Sequence, residues 1–558
     1  MKAWRHYAVV ILFLLGCSGV AARVVYLNIT ERAFLQEQGD ARAVRAQTLP
    51  AYRGVIYDRN GEPLAISTPT MAVWTDPSLV RLDGESVAAL AGVLGVPARE
   101  LQQQLDAAGR REFLYLARRL PWEQAQRVKA LELKGVYLQR EYRRYYPAAE
   151  IAAHVVGVTD VDEAGIEGVE LAFDDRLRGQ HGRKVVLQDR RGEVIKDLEF
   201  VRAPRFGSDM HLSLDLRLQY LAYREIKAAV LANGARSGSL VMLDAHTGEV
   251  LAMVNEPSYN PNDLSSGTRE GMRNRAVTDT YEPGSTMKPF TALAALESGA
   301  YSPTTEIDTS PGYFSVGRKL IQDTGNLGTV SLTRALQKSS QVAFAKVALT
   351  LPDRAVFDVM NRAGLGQFVG TGLPGEAAGS LSEWGLDKPI VRATLAYGYG
   401  LAVSPLQLAR AYVTLANDGV PLPVSILKHD PDAPVTGTPV FAAEQTRAVL
   451  HMMEAVTEKN GTAPRASVAG YRVAGKTGTA RKVGAAGYDD ERHVTLFAGI
   501  APVSNPRLVM VVVINEPAGA AQGGGGVAAP VFGRVAARAL RVLGEPPDDL
   551  LLAEGAGR

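Results

Sequence analysis

A single long apolar segment near the start of the chain limits how the rest can fold. Residues 8–22 carry no charged side chain, and after Arg23 the apolar character resumes over residues 24–27. At 1.5 Å rise per residue, about 20 residues just span the hydrocarbon core of a bilayer if Arg23 snorkels to the headgroups. The segment predicts one transmembrane anchor over residues 8–27, after a short cytoplasmic terminus over residues 1–7. No comparable run recurs in the 558 residues, so the remainder is expected to fold outside the bilayer.

The same segment fits a second interpretation, because Leu14-Leu15-Gly16-Cys17 resembles a lipoprotein cleavage box in which Cys17 would be acylated. The apolar character continues beyond Cys17, which favours an uncleaved anchor. Basic residues flank the segment on both sides, so charge alone does not set its orientation.

Charge and composition exclude several classes of protein. The chain has 61 Lys+Arg against 59 Asp+Glu, a net charge of +2 that argues against a nucleic-acid partner. With 46% hydrophobic and 22% charged residues, it is neither disordered nor a polytopic membrane protein. Cys17 is the only cysteine and no HExxH occurs among the eight histidines, so we expect no disulfide, no metal and no cofactor.

Hydrophobic periodicity predicts helices in the first half of the chain, two strands directly after them and three more strands near the end. The predicted helices cover residues 85–94, 121–133 and 216–230, and the predicted strands cover residues 239–243, 249–254, 473–480, 494–500 and 508–515. Strands that enclose a helical middle predict one antiparallel sheet closed by both ends of a single domain. The fold class is therefore α+β, with this domain over residues 207–545 and a flexible tail over residues 546–558.

Two nucleotide-binding patterns lack their required context. Residues 370–375 fit GxGxxG, but no βαβ unit surrounds them and Pro374 stands where a helix should open. Residues 470–477 fit GxxxxGK[ST], but glycines follow where a helix is needed, and Tyr471 begins a strand-like run. Both patterns are interpreted as structural loops or strands.

The segment that most directly indicates chemistry is Ser285-Thr286-Met287-Lys288. An apolar run at helical spacing follows it, and Pro289 is tolerated only in a first helical turn, so Ser285 is predicted at a helix start. Residues at i and i+3 share a face about 5–6 Å apart at Cβ, so the Lys288 amine can reach the Ser285 hydroxyl. A serine needs such a base, and a lysine can be one only if burial or another cation keeps it neutral.

SxxK alone is weak evidence, because Ser425 to Lys428 also fits the pattern in a strand-like segment that we interpret as structural. The first copy gains weight from Lys476-Thr477-Gly478, the only KTG in the chain. The two motifs together are typical of penicillin-binding proteins and serine β-lactamases.

Further segments complete the pattern: residues 34–42, 53–61, 146–147 and 165–168 in the first part, and residues 282–286, 397–400 and 405–409 in the second. With them the chain resembles the class B penicillin-binding proteins, and among these the division-specific peptidoglycan D,D-transpeptidases. The resemblance implies a transpeptidase domain over residues 207–545 and an elongated, non-catalytic α/β pedestal of the dimerisation type over residues 28–206. It also implies an inner-membrane enzyme with a periplasmic catalytic domain, inhibited by β-lactams, that works with a glycan polymerase and bitopic divisome proteins.

The resemblance assigns the reaction to four residues. Ser285 would attack the penultimate D-Ala of a pentapeptide stem with Lys288 as general base, and D-Ala would leave. The family's SxN motif corresponds to Ser339-Ser340-Gln341, where glutamine stands in place of asparagine. Ser339 would relay a proton to the leaving amine, and Lys476 would help keep Lys288 neutral. One extra methylene at Gln341 moves its amide by roughly an ångström, which can change rate or substrate choice.

The remaining implied roles concern substrate binding. Gln341 would bind the stem peptide or Lys288, and Lys476, Thr477 and Thr479 would bind the terminal carboxylate. Gly478 would leave room for the substrate, which would add to this strand by β-augmentation. The backbone amides of Ser285 and Thr479 would form an oxyanion hole. Near residues 522–526 the chain has glycines where family members often carry tyrosines.

Alternative functions remain open at this point. A β-lactamase would need a deacylation water and a shorter chain, and D,D-carboxypeptidase activity would differ only in using water as the acyl acceptor. From another class, the chain could be a weakened paralogue serving as a divisome scaffold or β-lactam sensor, or it could be an elongation-type transpeptidase.

Overall fold

The computed structural model describes residues 3–78, 80–109, 111–188, 194–265, 267–484, 487–519 and 523–549. Its α-helices are α1 (Ala3–Ile29), α2 (Arg32–Ala43), α3 (Gly84–Leu94), α4 (Ala98–Ala108), α5 (Trp122–Ala130), α6 (Ala153–Val156), α7 (Gly168–Ala172), α8 (Asp174–Leu177), α9 (Leu216–Ala232), α10 (Arg269–Met272), α11 (Arg275–Thr278), α12 (Lys288–Glu297), α13 (Leu332–Lys338), α14 (Gln341–Thr350), α15 (Ala355–Arg362), α16 (Pro389–Leu395), α17 (Pro405–Ala416), α18 (Ala443–Glu454) and α19 (Ala528–Leu543).

The strands are β1 (Val44–Leu49), β2 (Ile56–Tyr57), β3 (Pro63–Thr75), β4 (Leu114–Leu120), β5 (Val136–Tyr145), β6 (Val158–Thr159), β7 (Gly165–Glu167), β8 (Gly182–Gln188), β9 (Val194–Arg202), β10 (Met210–His211), β11 (Ser237–Asp244), β12 (Val250–Glu256), β13 (Glu306–Asp308), β14 (Tyr313–Val316), β15 (Lys319–Gln322), β16 (Thr329–Ser331), β17 (Ser380–Leu381), β18 (Leu401–Ala402), β19 (Ala474–Gly484), β20 (Gly487–Ala501) and β21 (Leu508–Asn515). Short 3-10 turns cover Ala149–Ile151, Gly284–Met287 and Pro464–Ala466.

The chain divides into two compact units that are not continuous in sequence. The first comprises Met1–Gly54, Ser67–Arg143 and Arg178–Ser208, and the second comprises Val55–Ile66, Arg144–Leu177 and Asp209–Arg558. Two stretches of the predicted pedestal therefore pack with the C-terminal region. In the second unit, for example, β2 pairs with β10, and the Asp58 carboxylate accepts the amide of Leu216 at 3.1 Å. Such long-range pairing leaves no periodic signal in the sequence.

In the first unit, α1 is long and apolar enough to cross a membrane, and it contains the predicted anchor, residues 8–27. Helices α3, α4 and α5 carry buried apolar residues that form a small core, including Val87, Leu90 and Leu101. The predicted helix over residues 121–133 is shorter than expected, because Glu132 adopts φ 48°, which ends it. Strands β1, β8 and β9 form a separate antiparallel sheet.

The second unit is built on a five-stranded antiparallel sheet in the order β12-β11-β21-β20-β19. Strands from both ends of the domain meet at its centre, where Val241 lies opposite Val511. Every residue of β11 and β21 is buried, as expected for strands covered on both faces. Helices α9 and α19 pack on each other and on the sheet, and α17 also contacts it. The predicted α+β fold and its closure by both ends of one domain are confirmed.

The predicted tail over residues 546–558 lies partly outside the described residues, which end at 549. In the described part, Asp548 is buried. Its carboxylate accepts the amides of Arg472 at 2.7 Å and Ser504 at 3.1 Å. The packed unit thus continues at least to Asp549.

Candidate active site

Ser285 lies in the 3-10 turn Gly284–Met287, which continues directly into α12. Gly284 adopts φ 55°, and its amide donates to the carbonyl of Gly398 at 3.0 Å. A Cβ on Gly398 would lie only 1.9 Å from the Gly284 carbonyl oxygen, so the two backbones touch. Ser285 is half-buried at the surface of this turn, at the helix start that the sequence predicts.

Lys288 is completely buried at the first position of α12. Its amine donates to the backbone carbonyl of Ser339 and, at 3.1 Å, to the Ser339 hydroxyl. The Phe344 ring centroid lies 5.8 Å from the amine. Burial lowers the pKa of Lys288 to about 7, although the charge of Asp323 acts in the opposite direction. A substantial fraction of this amine is therefore neutral near pH 7.

Ser339 lies at the junction of α13 and α14 and adopts a left-handed conformation, with φ 60° and ψ 35°. Ser340 follows as the N-cap of α14, where its hydroxyl accepts the Ala343 amide at 2.9 Å. The turn between the two helices aims the Ser339 hydroxyl at Lys288 and Lys476 together. Ser339 thus accepts hydrogen bonds from both lysine amines, and its proton-relay role stays a prediction.

Lys476 is also completely buried, on strand β19. Its amine donates to the Ser339 hydroxyl at 2.9 Å and to the carbonyl and hydroxyl of Thr477 at 3.3 Å. Burial, reinforced by repulsion from Lys288, holds the pKa of Lys476 well below its ordinary value. The same packing therefore lowers the pKa of both lysines and favours their neutral amines.

Gly478 lies against the turn that holds Ser285. A Cβ on Gly478 would lie 2.7 Å from the carbonyl oxygen of Pro283 and 3.0 Å from Cγ2 of Thr286. The absent side chain therefore lets β19 approach the Ser285 turn. The predicted role of Gly478 in leaving room for the substrate stays a prediction.

Thr479 is exposed on β19, the edge strand of the five-stranded sheet within the described residues. Its hydroxyl accepts the amide of Gly524 at 3.2 Å, so the glycine-rich loop packs on the KTG strand. Gln522, one of the residues noted in that loop, lies outside the described residues. Within the described residues β19 pairs with β20 alone, so its other edge has no strand partner and could accept an added strand.

Two contacts expected at this site are absent from the described residues. Ser285 makes no hydrogen bond with the Lys288 amine there, since that amine donates to Ser339. The side chain of Gln341 likewise makes no hydrogen bond with Lys288 or with any other described group. Gln341 is half-buried at the first position of α14, which leaves its side-chain amide available.

Sequence reasoning missed two residues that support the site. The Tyr412 hydroxyl, buried on α17, donates to the carbonyl of Thr286 at 2.7 Å and so braces the Ser285 turn. The Asp323 carboxylate accepts hydrogen bonds from Ser340 and Gln341. Apolar spacing marks Tyr412 only as a core residue, and Asp323 lies in an ordinary turn segment, so no sequence signal identifies either one.

The competing motifs are structural in this fold. The Ser425 hydroxyl donates to the carbonyl of Leu427 at 2.7 Å, and the Lys428 amine donates to the carbonyl of Arg59 at 2.9 Å. The GxxxxGKT pattern runs into strand β19 rather than a helix, so it cannot form a phosphate-binding loop. Across the described ranges, no group of three His, Cys, Asp or Glu side chains could hold a metal ion.

Two family models match the chain. The penicillin-binding protein transpeptidase domain matches residues 238–537, and the penicillin-binding protein dimerisation domain matches residues 48–212. Peptidoglycan D,D-transpeptidase FtsI of Escherichia coli (strain K12) is 43% identical over 553 residues, which cover 98% of this chain and 93% of that protein. Probable peptidoglycan D,D-transpeptidase PbpC of Pseudomonas aeruginosa is 40% identical over 549 residues, covering 98% and 97%.

Solved structures show the same architecture. The transpeptidase domain of penicillin-binding protein 3 from Burkholderia pseudomallei is 41% identical with a TM-score of 0.56, covering 60% of this chain and 97% of that one. Penicillin-binding protein 3 from Mycobacterium tuberculosis, in complex with aztreonam, is 28% identical with a TM-score of 0.69. That likeness covers 90% of this chain and 98% of the mycobacterial chain.

Proposed function

Since this chain belongs to the class B penicillin-binding proteins, among the peptidoglycan D,D-transpeptidases of the division type, we propose that Ser285 is its acylating nucleophile. The observation that carries the assignment is the convergence of two buried lysines on the Ser339 hydroxyl, beside the turn that holds Ser285. A lysine whose pKa is about 7 can accept the serine proton near neutral pH, which an ordinary exposed lysine cannot.

The proposed acylation step is a transfer of the stem peptide to the enzyme. The Ser285 oxygen bonds to the carbonyl carbon of the penultimate D-Ala while its proton passes to Lys288. The bond to the terminal D-Ala then breaks, and Ser339 donates a proton to the departing amine and regains one from the lysine pair. In the second step the amine of another stem attacks the ester, a crosslinking peptide bond forms, and Ser285 regains its proton.

Substrate binding is proposed on the edge of the sheet. A stem peptide that adds to β19 would place its terminal carboxylate near Lys476, Thr477 and Thr479, and the side-chain amide of Gln341 would bind the stem. The amides of Ser285 and Thr479 would stabilise the oxyanion, since donors aimed at developing charge lower the barrier in a water-poor site. The same groups would bind β-lactams, which acylate the nucleophile in the same way.

The membrane placement follows from the substrate. Helix α1 makes the chain a single-pass membrane protein. We place the residues after 28 on the periplasmic side, because peptidoglycan stems are crosslinked there. We propose a non-catalytic pedestal over residues 28–206 and a transpeptidase domain over residues 207–545. Contacts with a glycan polymerase and bitopic divisome proteins would use the anchor and the pedestal. A weakened scaffold is not favoured, since both lysines and Ser285 are in place. An elongation-type enzyme is not favoured, because the relative at 43% identity is an FtsI transpeptidase.

The test is covalent labelling of the full-length chain in detergent with a fluorescent penicillin, followed by intact mass measurement. Wild type should gain one penicilloyl group, and Ser285→Ala should gain none. Ser425→Ala, the matched control in the second SxxK copy, should label like wild type. A labelled Ser285→Ala chain, or an unlabelled wild type, would refute the assignment. Crosslinked product from pentapeptide glycan strands, lost in Ser285→Ala, would establish transfer to an amine.

A further inference from the structure

Asp323 directly follows strand β15 and lies outside every motif that points to the active site. Its carboxylate accepts three hydrogen bonds: from the Ser340 hydroxyl at 2.5 Å, from the backbone amide of Gln341 at 2.5 Å and from the backbone amide of Val342 at 3.2 Å. Both of its oxygens are thus engaged by the first turn of α14. The unpaired amides of a helix start favour an anionic partner of this kind.

These bonds leave the neighbouring backbone little freedom. The Ser340 hydroxyl donates to Asp323 and accepts from the Ala343 amide, so its rotation is fixed from both sides. Ser339, one residue earlier, holds a left-handed conformation. That conformation is strained for a non-glycine residue and persists only where its surroundings impose it. Asp323 is itself held, because its amide donates to the carbonyl of Gly312 at 3.0 Å.

We propose that Asp323 is a positioning residue for acyl transfer: its carboxylate clamps the backbone that follows Ser339 and thereby holds the Ser339 hydroxyl between Lys288 and Lys476. The inference rests on the function proposed for this site. Asp323 contacts neither the substrate nor the reacting atoms in this scheme, and it acts through Ser339 and through its charge.

The charge of Asp323 gives the clamp a second effect. Among the described residues, Ser339 between α13 and α14 and the Phe344 ring on α14 contact the Lys288 amine. Lys476 on β19 and Asp323 after β15 interact with it electrostatically. Among these, only Lys476 and Asp323 have ionisable side chains. Burial lowers the pKa of Lys288, and Asp323 opposes that change. Removing the negative charge therefore lowers the pKa of Lys288 further and makes the amine a weaker base.

The experiment measures the second-order rate constant of acylation by fluorescent penicillin between pH 5.5 and 9, on the full-length chain in detergent. Asp323→Asn should reduce the maximal rate by about 10- to 100-fold, the size of a small displacement of a reacting group. It should also move the rising limb of the pH profile to lower pH by about one pH unit. Asp323→Glu keeps the charge, so it should lose rate while the limb stays in place.

A matched control is available on strand β13. Asp308 is exposed, and its carboxylate accepts the backbone amide of Ser310 at 2.8 Å, two residues on in the same turn, with no hydrogen bond to residues 339–342 among the described contacts. Asp308→Asn should change neither the rate nor the limb. If Asp323→Asn melts below the assay temperature, Ser340→Ala removes one of the three bonds and keeps the charge. It should slow acylation without moving the limb.

Three results would overturn the inference. The first is a wild-type rate and limb in Asp323→Asn, and the second is a wild-type rate in Ser340→Ala. The third is an equal loss of rate in Asp323→Asn and Asp323→Glu with an unmoved limb, which would reduce Asp323 to a helix cap. Failure of the proposed function looks different, because wild type itself would then form no adduct at Ser285.

Discussion

The side-chain amines of Lys288 and Lys476 meet at one atom, the hydroxyl oxygen of Ser339, at 3.1 and 2.9 Å. Both lysines are completely buried. Two ammonium groups this close repel each other, and burial removes the water that would screen them, so the pair favours a state with at least one neutral amine. A neutral amine can accept a proton, so the packing of this unit itself creates the base that Ser285 needs.

The first prediction concerns pH. Because the pKa of Lys288 is lowered to about 7, the neutral amine becomes the major form only above that pH, and acylation should rise as the pH increases through about 7. Lys288→Arg keeps a cation that does not lose its proton, so acylation should fall by about 10²–10⁴-fold, the contribution of a general base. The measurement is the acylation rate constant between pH 5.5 and 9. A flat profile from pH 6 to 8 would contradict the assignment of Lys288 as base.

A second prediction tests the close approach of β19 to the Ser285 turn. Gly478→Ala places a methyl group 2.7 Å from the carbonyl oxygen of Pro283, so the strand must move away. We expect acylation to fall about 100-fold. The free energy of unfolding should fall by about 1–3 kcal/mol, as for overpacking elsewhere. The control is Gly92→Ala, since a Cβ at Gly92 meets nothing within 4 Å. Unchanged acylation in Gly478→Ala would show that the contact is not needed.

The third prediction concerns Gln341. Its backbone amide is held by Asp323, whereas its side chain makes no hydrogen bond to another described residue, so the side chain can change without disturbing the fold. Gln341→Asn withdraws the amide by one methylene to the position usual in the SxN motif. We expect faster acylation, by up to about tenfold, with an unchanged melting temperature. Acylation kinetics and thermal unfolding on the same samples check both parts. A large loss of stability would mean that Gln341 serves packing instead.

The fourth prediction separates stability from chemistry. Arg144 and Glu170 form an ion pair at 2.7 Å whose side chains are 1% and 0% exposed. Glu170→Ala leaves the buried guanidinium without this partner and should lower the free energy of unfolding by about 3–5 kcal/mol. Asp358→Ala, which breaks the exposed pair with Arg354, should change it little. Urea unfolding measures both variants, and penicillin acylation of the folded fraction should stay at the wild-type rate.

Much of the fold was predictable because its signals are local. Apolar spacing predicted the helix that runs from Leu216 to Ala232 and the two strands that pair on either side of Gly248. It also predicted the three late strands that complete the sheet. The discontinuous second unit was not predictable, since residues 55–66 join it through pairing with distant strands.

The sequence by itself determined which side chains are present and in what local setting: a serine in the first turn before a helix, a lysine one turn later, a KTG strand and one membrane-spanning helix. These follow from periodicity and backbone restriction over a few residues. Only the tertiary structure decided that Lys288 and Lys476 are buried against one hydroxyl. It also decided that Gly478 lies against the turn that holds Ser285, and that the Asp323 carboxylate binds the backbone directly after Ser339. The altered pKa of each lysine depends on burial and on charges far away in sequence, and neither quantity exists until the chain has folded.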